Sequence, residues 1–263
     1  MTLLQPAQNT AVEMAEPLPA HVEAALWKGG ELRPPPTTVH GSGWSALDGE
    51  LPGGGWPTLA ITELLVSQPG TLEWRLLTPA IRPIVAADGE IAVVGPARPP
   101  SMEGLVQDGL EPDRFWRYNV DEPARRLWIT EQMLKSNGAD VLIAWLPQAR
   151  QEQIRRLQAC AQGFDGLCFL IRPQHALRDS SPAPLRVSAA LGEDWNLRVR
   201  VVKRRGPIHD DDLLLAAYAG GVDRVLTPAL MHPSKLDDRP ISVEVPHAMG
   251  STAISPGRID ATH

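Results

Sequence analysis

Residues 41–75 read GSGWSALDGELPGGGWPTLAITELLVSQPGTLEWR, and this stretch decides the fold class. Three consecutive glycines at residues 53–55 predict a turn, because glycine adopts positive φ without steric cost. The run AITELLV at residues 60–66 is typical of a strand buried on both faces of a parallel sheet. A polar turn and the start of a helical pattern at residues 72–77 follow it. Strand, glycine-containing loop and helix in this order form the framework of a phosphate-binding loop.

The residues that would grip a nucleotide are missing from this framework. A working loop ends in Gly-Lys-Ser/Thr, because backbone N–H groups and one ammonium hold the phosphates while a hydroxyl reaches Mg²⁺. Here Gly70 is followed by Thr71, Leu72 and Glu73, and no lysine occurs between residues 28 and 135. We therefore expect a nucleotide-binding scaffold that has lost its nucleotide, with no cofactor, no metal and no catalytic residue. The degenerate loop comprises Ser67, Gln68, Pro69, Gly70 and Thr71.

The segment GSGWSALDGELPGGGWPTLAITELL at residues 41–65 resembles the beginning of the ATPase core of the RecA recombinases. It is more similar to the ImuA family, the RecA-like accessory proteins of bacterial translesion mutasomes, and to their relatives, the SulA-type cell-division inhibitors. Three shorter pieces extend the resemblance to residues 26–207: LWKG at 26–29, ADVLIAWLP at 139–147 and VRVVKRRGP at 199–207.

The resemblance implies a RecA-like α/β core with a mostly parallel β-sheet flanked by helices and with flexible extensions at both ends. We expect an N-terminal arm, short helix and proline linker at residues 1–36, the core at 37–207 and a C-terminal extension at 208–263. In a RecA-like ATPase the strand VLIAW, residues 141–145, would end in an acidic residue that serves Mg²⁺ or the nucleophile. Trp145 or Leu146 stands there instead, and Asp140 lies at the wrong end of the strand.

The periodicity of the chain supports the same architecture. Strands are predicted at residues 90–94, 115–120, 141–145 and 166–171, with helices between them, as in a parallel sheet covered on both faces. Asp121 is expected to cap a helix that Pro123 begins. Pro79 and Pro83 are expected to kink or divide the helix after the loop. Two antiparallel strands at 185–191 and 197–202 end the core.

The strongest positive feature is a group of cations at the end of the last of these strands. Its members are Arg198, Arg200, Lys203, Arg204 and Arg205. Two interpretations stay open: contact with DNA phosphate or an acidic partner, or a solvated edge that charge protects from aggregation. Arg172 and Arg178 lie in a loop at about the place where a recombinase carries a DNA-binding loop. Changing Arg204 and Arg205 together to glutamate is expected to weaken such binding without changing the fold.

Residues 209–218 are predicted to form a short helix that starts at Asp210, Asp211 and Asp212, since anions favour a helix N-terminus. A metal cluster is the weaker interpretation of these aspartates, because no second group of oxygen ligands accompanies them. Trp44, Trp56 and Trp74 are expected to surround the degenerate loop and fill the space of a nucleotide.

The composition describes an ordinary globular chain of 263 residues with a net charge of −6. This charge argues against binding nucleic acid by bulk attraction, so any DNA contact would need a local patch. The sequence shows neither a signal peptide nor a membrane span, and its two cysteines fit reduced thiols. We therefore expect a cytoplasmic protein.

Three functions stay open at this point. The ImuA resemblance implies a non-catalytic accessory protein in SOS-induced translesion DNA synthesis. Its partners would be an inactive Y-family polymerase homologue, an error-prone replicative-type DNA polymerase and the RecA recombinase, with DNA as a further ligand. The first alternative is a SulA-type inhibitor that binds the tubulin-like division protein. The second is an ATPase with an atypical loop.

Overall fold

The computed structural model describes residues 38–207, 210–218, 222 and 225–235. The strands are β1 (Val39–His40), β2 (Trp56–Pro57), β3 (Ile61–Val66), β4 (Ile91–Val94), β5 (Phe115–Tyr118), β6 (Val141–Trp145), β7 (Leu167–Pro173), β8 (Leu185–Leu191), β9 (Asn196–Lys203) and β10 (Leu213–Ala216). The α-helices are α1 (Ser45–Glu50), α2 (Leu72–Ala86), α3 (Met102–Gln107), α4 (Pro123–Ser136), α5 (Gln151–Ala161) and α6 (Pro228–Met231). Short 3-10 helices lie at Pro112–Arg114, Gln174–Arg178 and Pro233–Lys235.

Eight strands form one sheet in the order β10-β9-β8-β3-β7-β6-β4-β5. The six from β8 to β5 in this order are parallel to their neighbours, while β9 and β10 add in antiparallel fashion at one edge. The predicted α/β class with a mostly parallel sheet and flanking helices is confirmed. Strand β3 lies between β7 and β8, so the loop that follows it opens at the middle of the carboxyl edge.

Two apolar layers cover the sheet unequally. One layer packs α1, α2 and α3 against a face that runs from β4 to β10. The other packs α4 and α5 against the opposite face, where residues of β3, β4, β6 and β7 contribute and residues of β8, β9 and β10 do not. The second face therefore lacks a helical cover at its antiparallel end, within the part of the chain that the structure describes.

The proline-containing helix α2 runs undivided for 15 residues through Pro79 and Pro83. Of the two expected outcomes, the division is wrong and the kink stays a prediction. The surroundings of α2 compensate for the missing backbone donors. The indole N–H of Trp44 donates to the carbonyl of Leu76 at 3.0 Å. Gly43, with φ of +80°, packs so closely that a Cβ there would lie 2.4 Å from Cβ of Pro79. Tertiary packing thus holds a helix that local propensity disfavours.

Two other local predictions are wrong. The described residues of the predicted helix at 209–218 contain strand β10, which pairs antiparallel with β9; an apolar run beside an unpaired strand edge gains more from completing the ladder than from a short helix. The sheet therefore continues past the predicted core boundary at residue 207. The N-cap position of α4 is Glu122, without a side-chain cap, and Asp121 instead pairs with Arg126 at 3.6 Å.

The first 37 residues and residues 236–263 lie outside the described part, and so do the predicted arm, its helix, its proline linker and most of the extension. Among the described helices, none has the length and apolar character needed to cross a lipid bilayer.

Candidate functional site

The loop between β3 and α2 is closed by a side chain of its own helix. Glu73 lies in the first turn of α2 and its side chain is fully buried. Its carboxylate accepts hydrogen bonds from the backbone N–H of Gly70 at 2.5 Å and of Thr71 at 3.2 Å. Backbone N–H groups at a loop and helix N-terminus are the donors that proteins use for phosphate. In this chain they hold a carboxylate.

A tryptophan from strand β6 of the same sheet completes the set of donors around Glu73. The indole N–H of Trp145, at the end of β6, donates to Oε1 of Glu73 at 2.7 Å. Trp145 is 2% exposed, and its ring lies 6.2 Å from that of Trp74. The sequence resemblance predicted an acid at this position in a RecA-like ATPase; in the structure Trp145 occupies it and bonds to the loop carboxylate. Because the residues are 72 positions apart, this contact ties the loop to the opposite half of the sheet.

Burial and hydrogen bonding act on Glu73 in opposite directions. Burial raises its pKa above the ordinary value of 4.5, while the N–H donors of the loop and the Trp145 indole hold it down. The net direction is upward, because the carboxylate leaves water and has no ion-pair partner among the residues that the structure describes. When Glu73 is ionised, its carboxylate is held by three N–H donors, which offset part of the cost of burying the charge.

Gly70 fits the loop for a steric reason as well. Its φ is +95°, in the left-handed region that glycine adopts freely, and a Cβ there would lie 3.0 Å from Cβ of Arg98. Arg98 is exposed and lies against the outer side of the loop. Glu73 therefore binds the N–H groups of the loop on its inner side, and the aliphatic part of Arg98 packs against Gly70 on its outer side.

The tryptophans predicted around the loop are distributed differently. Trp74 faces Trp145 and Phe115 beside the buried carboxylate, which agrees with the prediction. Trp44 reaches the middle of α2, and Trp56 packs edge-on against Phe169 at 5.3 Å. One of the three thus fills space next to Glu73.

A second buried carboxylate lies ten residues earlier, in the middle of β3. Glu63 is fully buried and forms ion pairs with Arg172 at 2.6 Å and Arg186 at 2.5 Å. The arginines come from β7 and β8, the strands on either side of β3, so the three charges span the centre of the sheet. Arg172 also pairs with Asp179 at 3.0 Å, and Arg186 donates to the carbonyls of Ala176 and Asp179. These contacts anchor the loop after β7.

The ion pairs of Glu63 change the interpretation of the two arginines that were predicted to bind DNA or a partner after β7. Arg172 is 4% exposed, so its guanidinium serves the interior and we leave it out of any proposed binding surface. Arg178 is exposed, as a surface role requires. The pairing of Glu63 with Arg186 was not predicted from the sequence. A carboxylate within an otherwise apolar strand was the available signal, because it needs a buried counter-charge.

The cations on and after β9 fall into two groups. Arg198 and Arg200 are exposed and alternate with the buried Leu197, Val199 and Val201, so the predicted common face is confirmed. Both pair with Asp212, at 3.8 Å and 2.6 Å respectively.

The other three cations have separate roles. The ammonium of Lys203 donates to the carbonyl of Ser181 at 2.7 Å. The Arg204 side chain, 11% exposed, pairs with Glu50 at 3.2 Å and joins the strand end to α1. Arg205 is exposed. Arg204→Glu would place a like charge against Glu50. The double change at residues 204 and 205 was expected to leave the fold intact; this expectation fits Arg205 alone better.

Other concave or reactive features of the described chain supply no chemistry. A cleft of about 360 Å³ at the amino edge of the sheet is lined by acids such as Asp88, Glu90 and Asp140, and these already bond to neighbouring groups. No three or more His, Cys, Asp or Glu residues within the described ranges are placed to hold a metal ion. Both cysteines are free thiols, and burial raises the pKa of Cys168 to about 12.

Fold and site together define a class: an α/β protein with a mostly parallel sheet whose central strand is followed by a self-closed, glycine-containing loop. No family model matches the chain. It is similar to the protein named Cell division inhibitor SulA of Photorhabdus laumondii, with 30% identity over 112 residues, which cover 43% of this chain and 63% of that protein. It is also similar to the Serratia marcescens protein of the same name, with 25% identity over 122 residues, 46% of this chain and 71% of that protein. The chain thus spans less than two thirds of the length of the first relative. The resemblance to SulA-type proteins is supported as a weak similarity over less than half of this chain.

Proposed function

We propose that this protein acts by binding other macromolecules and not by hydrolysing a nucleotide, as a non-catalytic accessory protein of the bacterial response to DNA damage. The observation that carries the proposal is the Glu73 carboxylate on the N–H groups of Gly70 and Thr71. A phosphate would have to expel this buried anion and break its bond to Trp145. If Glu73 stayed in place, the phosphate would meet a like charge in a region of low dielectric.

The test is nucleotide binding by the full chain. We expect no saturable binding of a fluorescent ATP analogue with Mg²⁺, and no hydrolysis with or without single-stranded DNA. Glu111→Ala, at an exposed residue away from the loop, is a matched control for Glu73→Ala. ATP turnover that disappears when Thr71 or Glu73 is changed would contradict the proposal and favour an atypical ATPase.

The role that we propose for the binding protein is in SOS-induced translesion synthesis. This role rests on the ImuA resemblance of residues 41–65 and of the shorter segments around Val141–Trp145 and residues 199–207. A RecA-like shell without a nucleotide cycle could dock onto the inactive Y-family polymerase homologue, the error-prone polymerase or a RecA filament without driving filament turnover. Because 112 residues are a smaller share of this chain than of the Photorhabdus protein, that relative is the shorter of the two. More than half of this chain lies outside that alignment.

A SulA-type division inhibitor is the second candidate, and a specific observation favours it. Both relatives carry the name of cell-division inhibitors. In this case the ligand would be the tubulin-like division protein. A self-closed loop would serve either role equally, because neither requires a bond to be broken.

Affinity capture decides between the two roles. A tagged full chain is expressed at native level in damaged cells, and the retained proteins are identified against untagged cells. We expect the polymerase homologue, with the error-prone polymerase or RecA. Retention of the tubulin-like protein alone, together with filamentous growth on expression, would replace the mutasome proposal by the division-inhibitor one.

A further inference from the structure

The face of β9 and β10 that lies beyond the cover of α4 and α5 carries a compact set of exposed groups. Arg198 is 55% and Arg200 is 47% exposed at the side chain, and Leu214 of β10 is 66% exposed. Strand register places Arg198 between Ala190 of β8 and Leu214 of β10. The same face is packed against α4 and α5 at the other end of the sheet. We call the set of Arg198, Arg200 and Leu214 the arginine face.

The arginine face already holds one carboxylate of this chain. Asp212, the residue before β10, contacts both guanidinium groups, and it is 31% exposed at its side chain. The hydrogen bond to Asp212 raises the pKa of Arg200 above its usual range, and the charges of Asp212, Asp210 and Asp211 add to the effect. A single carboxylate shared between two guanidinium groups leaves donors of both open to solvent.

The neighbouring acids decide which ligand class fits. Three consecutive aspartates beside the arginines and a net charge of −6 for the whole chain repel any anion. The repulsion is strongest for a phosphate backbone, because it presents a continuous row of charges, and weaker for a ligand with one or two carboxylates. A short acidic segment can place one or two carboxylates on the arginines, where Asp212 shows the geometry, and lay an apolar side chain on Leu214 and Ala190. Charge-assisted bonds between arginine and carboxylate supply the direction of docking, and the exposed leucine supplies apolar area.

We propose that the arginine face binds an acidic segment with interspersed apolar residues on a partner protein, in competition with Asp212 of the same chain. The proposal rests on the proposed function, a partner-binding protein, and names the chemistry of that partner. It also replaces DNA as the ligand of the β9 cations. Asp212 acts as a built-in competitor that keeps the arginines paired until a stronger acidic segment arrives.

The test uses the full chain and a short fluorescein-labelled peptide that alternates aspartate with leucine. A peptide with lysine in place of aspartate and a labelled single-stranded DNA serve as comparison ligands, all measured by fluorescence anisotropy over a salt series. The double variant Arg198→Gln with Arg200→Gln is expected to weaken peptide binding roughly five- to tenfold. Asp212→Asn is expected to tighten it roughly two- to fivefold, because the competitor loses its charge. Arg155→Gln, at an exposed arginine of α5 on the helix-covered part of the sheet, is the matched control and is expected to change nothing.

Three results would overturn the proposal. One is an affinity of the double variant equal to that of the wild type, with an unchanged circular dichroism melting curve. Another is single-stranded DNA that binds more tightly than the peptide and loses binding in the same variant. The third is an Asp212→Asn variant with unchanged or weaker peptide affinity. The nucleotide test and the affinity capture do not depend on this face, so a failed peptide experiment leaves the proposed function standing.

Discussion

Two glutamates ten residues apart, Glu63 in β3 and Glu73 at the start of α2, are both fully buried, yet the protein neutralises them by different means. Two arginines from the adjacent strands surround Glu63. Glu73 has no cation within ion-pair distance among the described residues and relies on two backbone N–H groups and one indole. The first arrangement ties three strands together. The second uses the polarity of a loop and helix N-terminus, as an anion-binding site would.

The largest effect is expected from removing Glu63. Glu63→Ala leaves Arg186 buried without a carboxylate and leaves Arg172 with Asp179 as its remaining partner. The loss of one member of a buried ion pair typically costs about 3–5 kcal/mol. We expect the free energy of unfolding, measured by urea titration, to fall by that order. Arg178→Ala, at an exposed residue of the same loop that forms no ion pair with Glu63, should leave it nearly unchanged.

Replacing the whole cluster separates lost pairing from lost packing. The triple variant Glu63→Leu, Arg172→Met and Arg186→Met removes all three charges together. We expect it to recover most of the stability that Glu63→Ala loses, because apolar groups can replace a buried ion pair at little cost. A Glu63→Ala variant as stable as the wild type would contradict the conclusion that the buried arginines depend on Glu63 for their charge balance.

A medium effect is expected at the set of donors around Glu73. Trp145→Phe keeps most of the aromatic volume beside Trp74 and removes the one side-chain N–H donor to Glu73. A buried group that loses its hydrogen-bond partner typically costs about 1–3 kcal/mol. Urea titration at neutral pH measures this cost. Trp128→Phe, at a tryptophan that is 59% exposed, provides the matched control.

The smallest effect, and the one with the clearest sign, is a pH dependence. The folded-state pKa of Glu73 lies above the ordinary value of 4.5, so between these two values the folded protein holds a proton that the unfolded chain has released. Its contribution to stability is therefore present at low pH and is lost as pH rises through this window. Relative to Glu73→Gln, which cannot titrate, the wild type should lose stability on going from pH 4.5 upward.

The comparison of these two proteins by parallel urea titrations gives the result as a difference, so that other titrating groups cancel. A difference that stays constant with pH would mean that the donors of the loop offset burial and leave the pKa of Glu73 unshifted. A difference that grows in favour of the wild type as pH rises would mean that the donors outweigh burial and hold the pKa of Glu73 below its ordinary value.

The sequence predicted the framework well where its signal was local. The apolar run of β3, the strand of VLIAW at β6 and the in-out alternation of Leu197 with Arg198 all appear as expected. The predictions from sequence were wrong where a contact with a distant part of the chain determined the local structure. Trp44 and Gly43 support a helix that Pro79 alone would divide, and the free edge of β9 draws β10 into the sheet.

The same distinction applies to the candidate site. The sequence alone shows that the loop lacks a lysine and that β6 lacks a terminal acid, because the residue types can be read without the structure. The use of Glu73 as the loop's own anion could not, since its third donor comes from Trp145 in β6, which lies two strands from β3 in the sheet order β3, β7, β6. Arg172 and Arg178 look alike in sequence, and only the position of Glu63 makes one of them internal.

By itself the sequence determined the succession of strands from β3 to β9, the β9 cations and the absence of the usual nucleotide-binding residues, because periodicity and residue type are properties of neighbours along the chain. Only the tertiary structure decided which charges meet: Glu63 with Arg172 and Arg186, Glu73 with the loop, and Asp212 with Arg198 and Arg200. The physical reason is that a charge removed from water must find a partner, and the order of strands in the sheet determines which partner lies within reach.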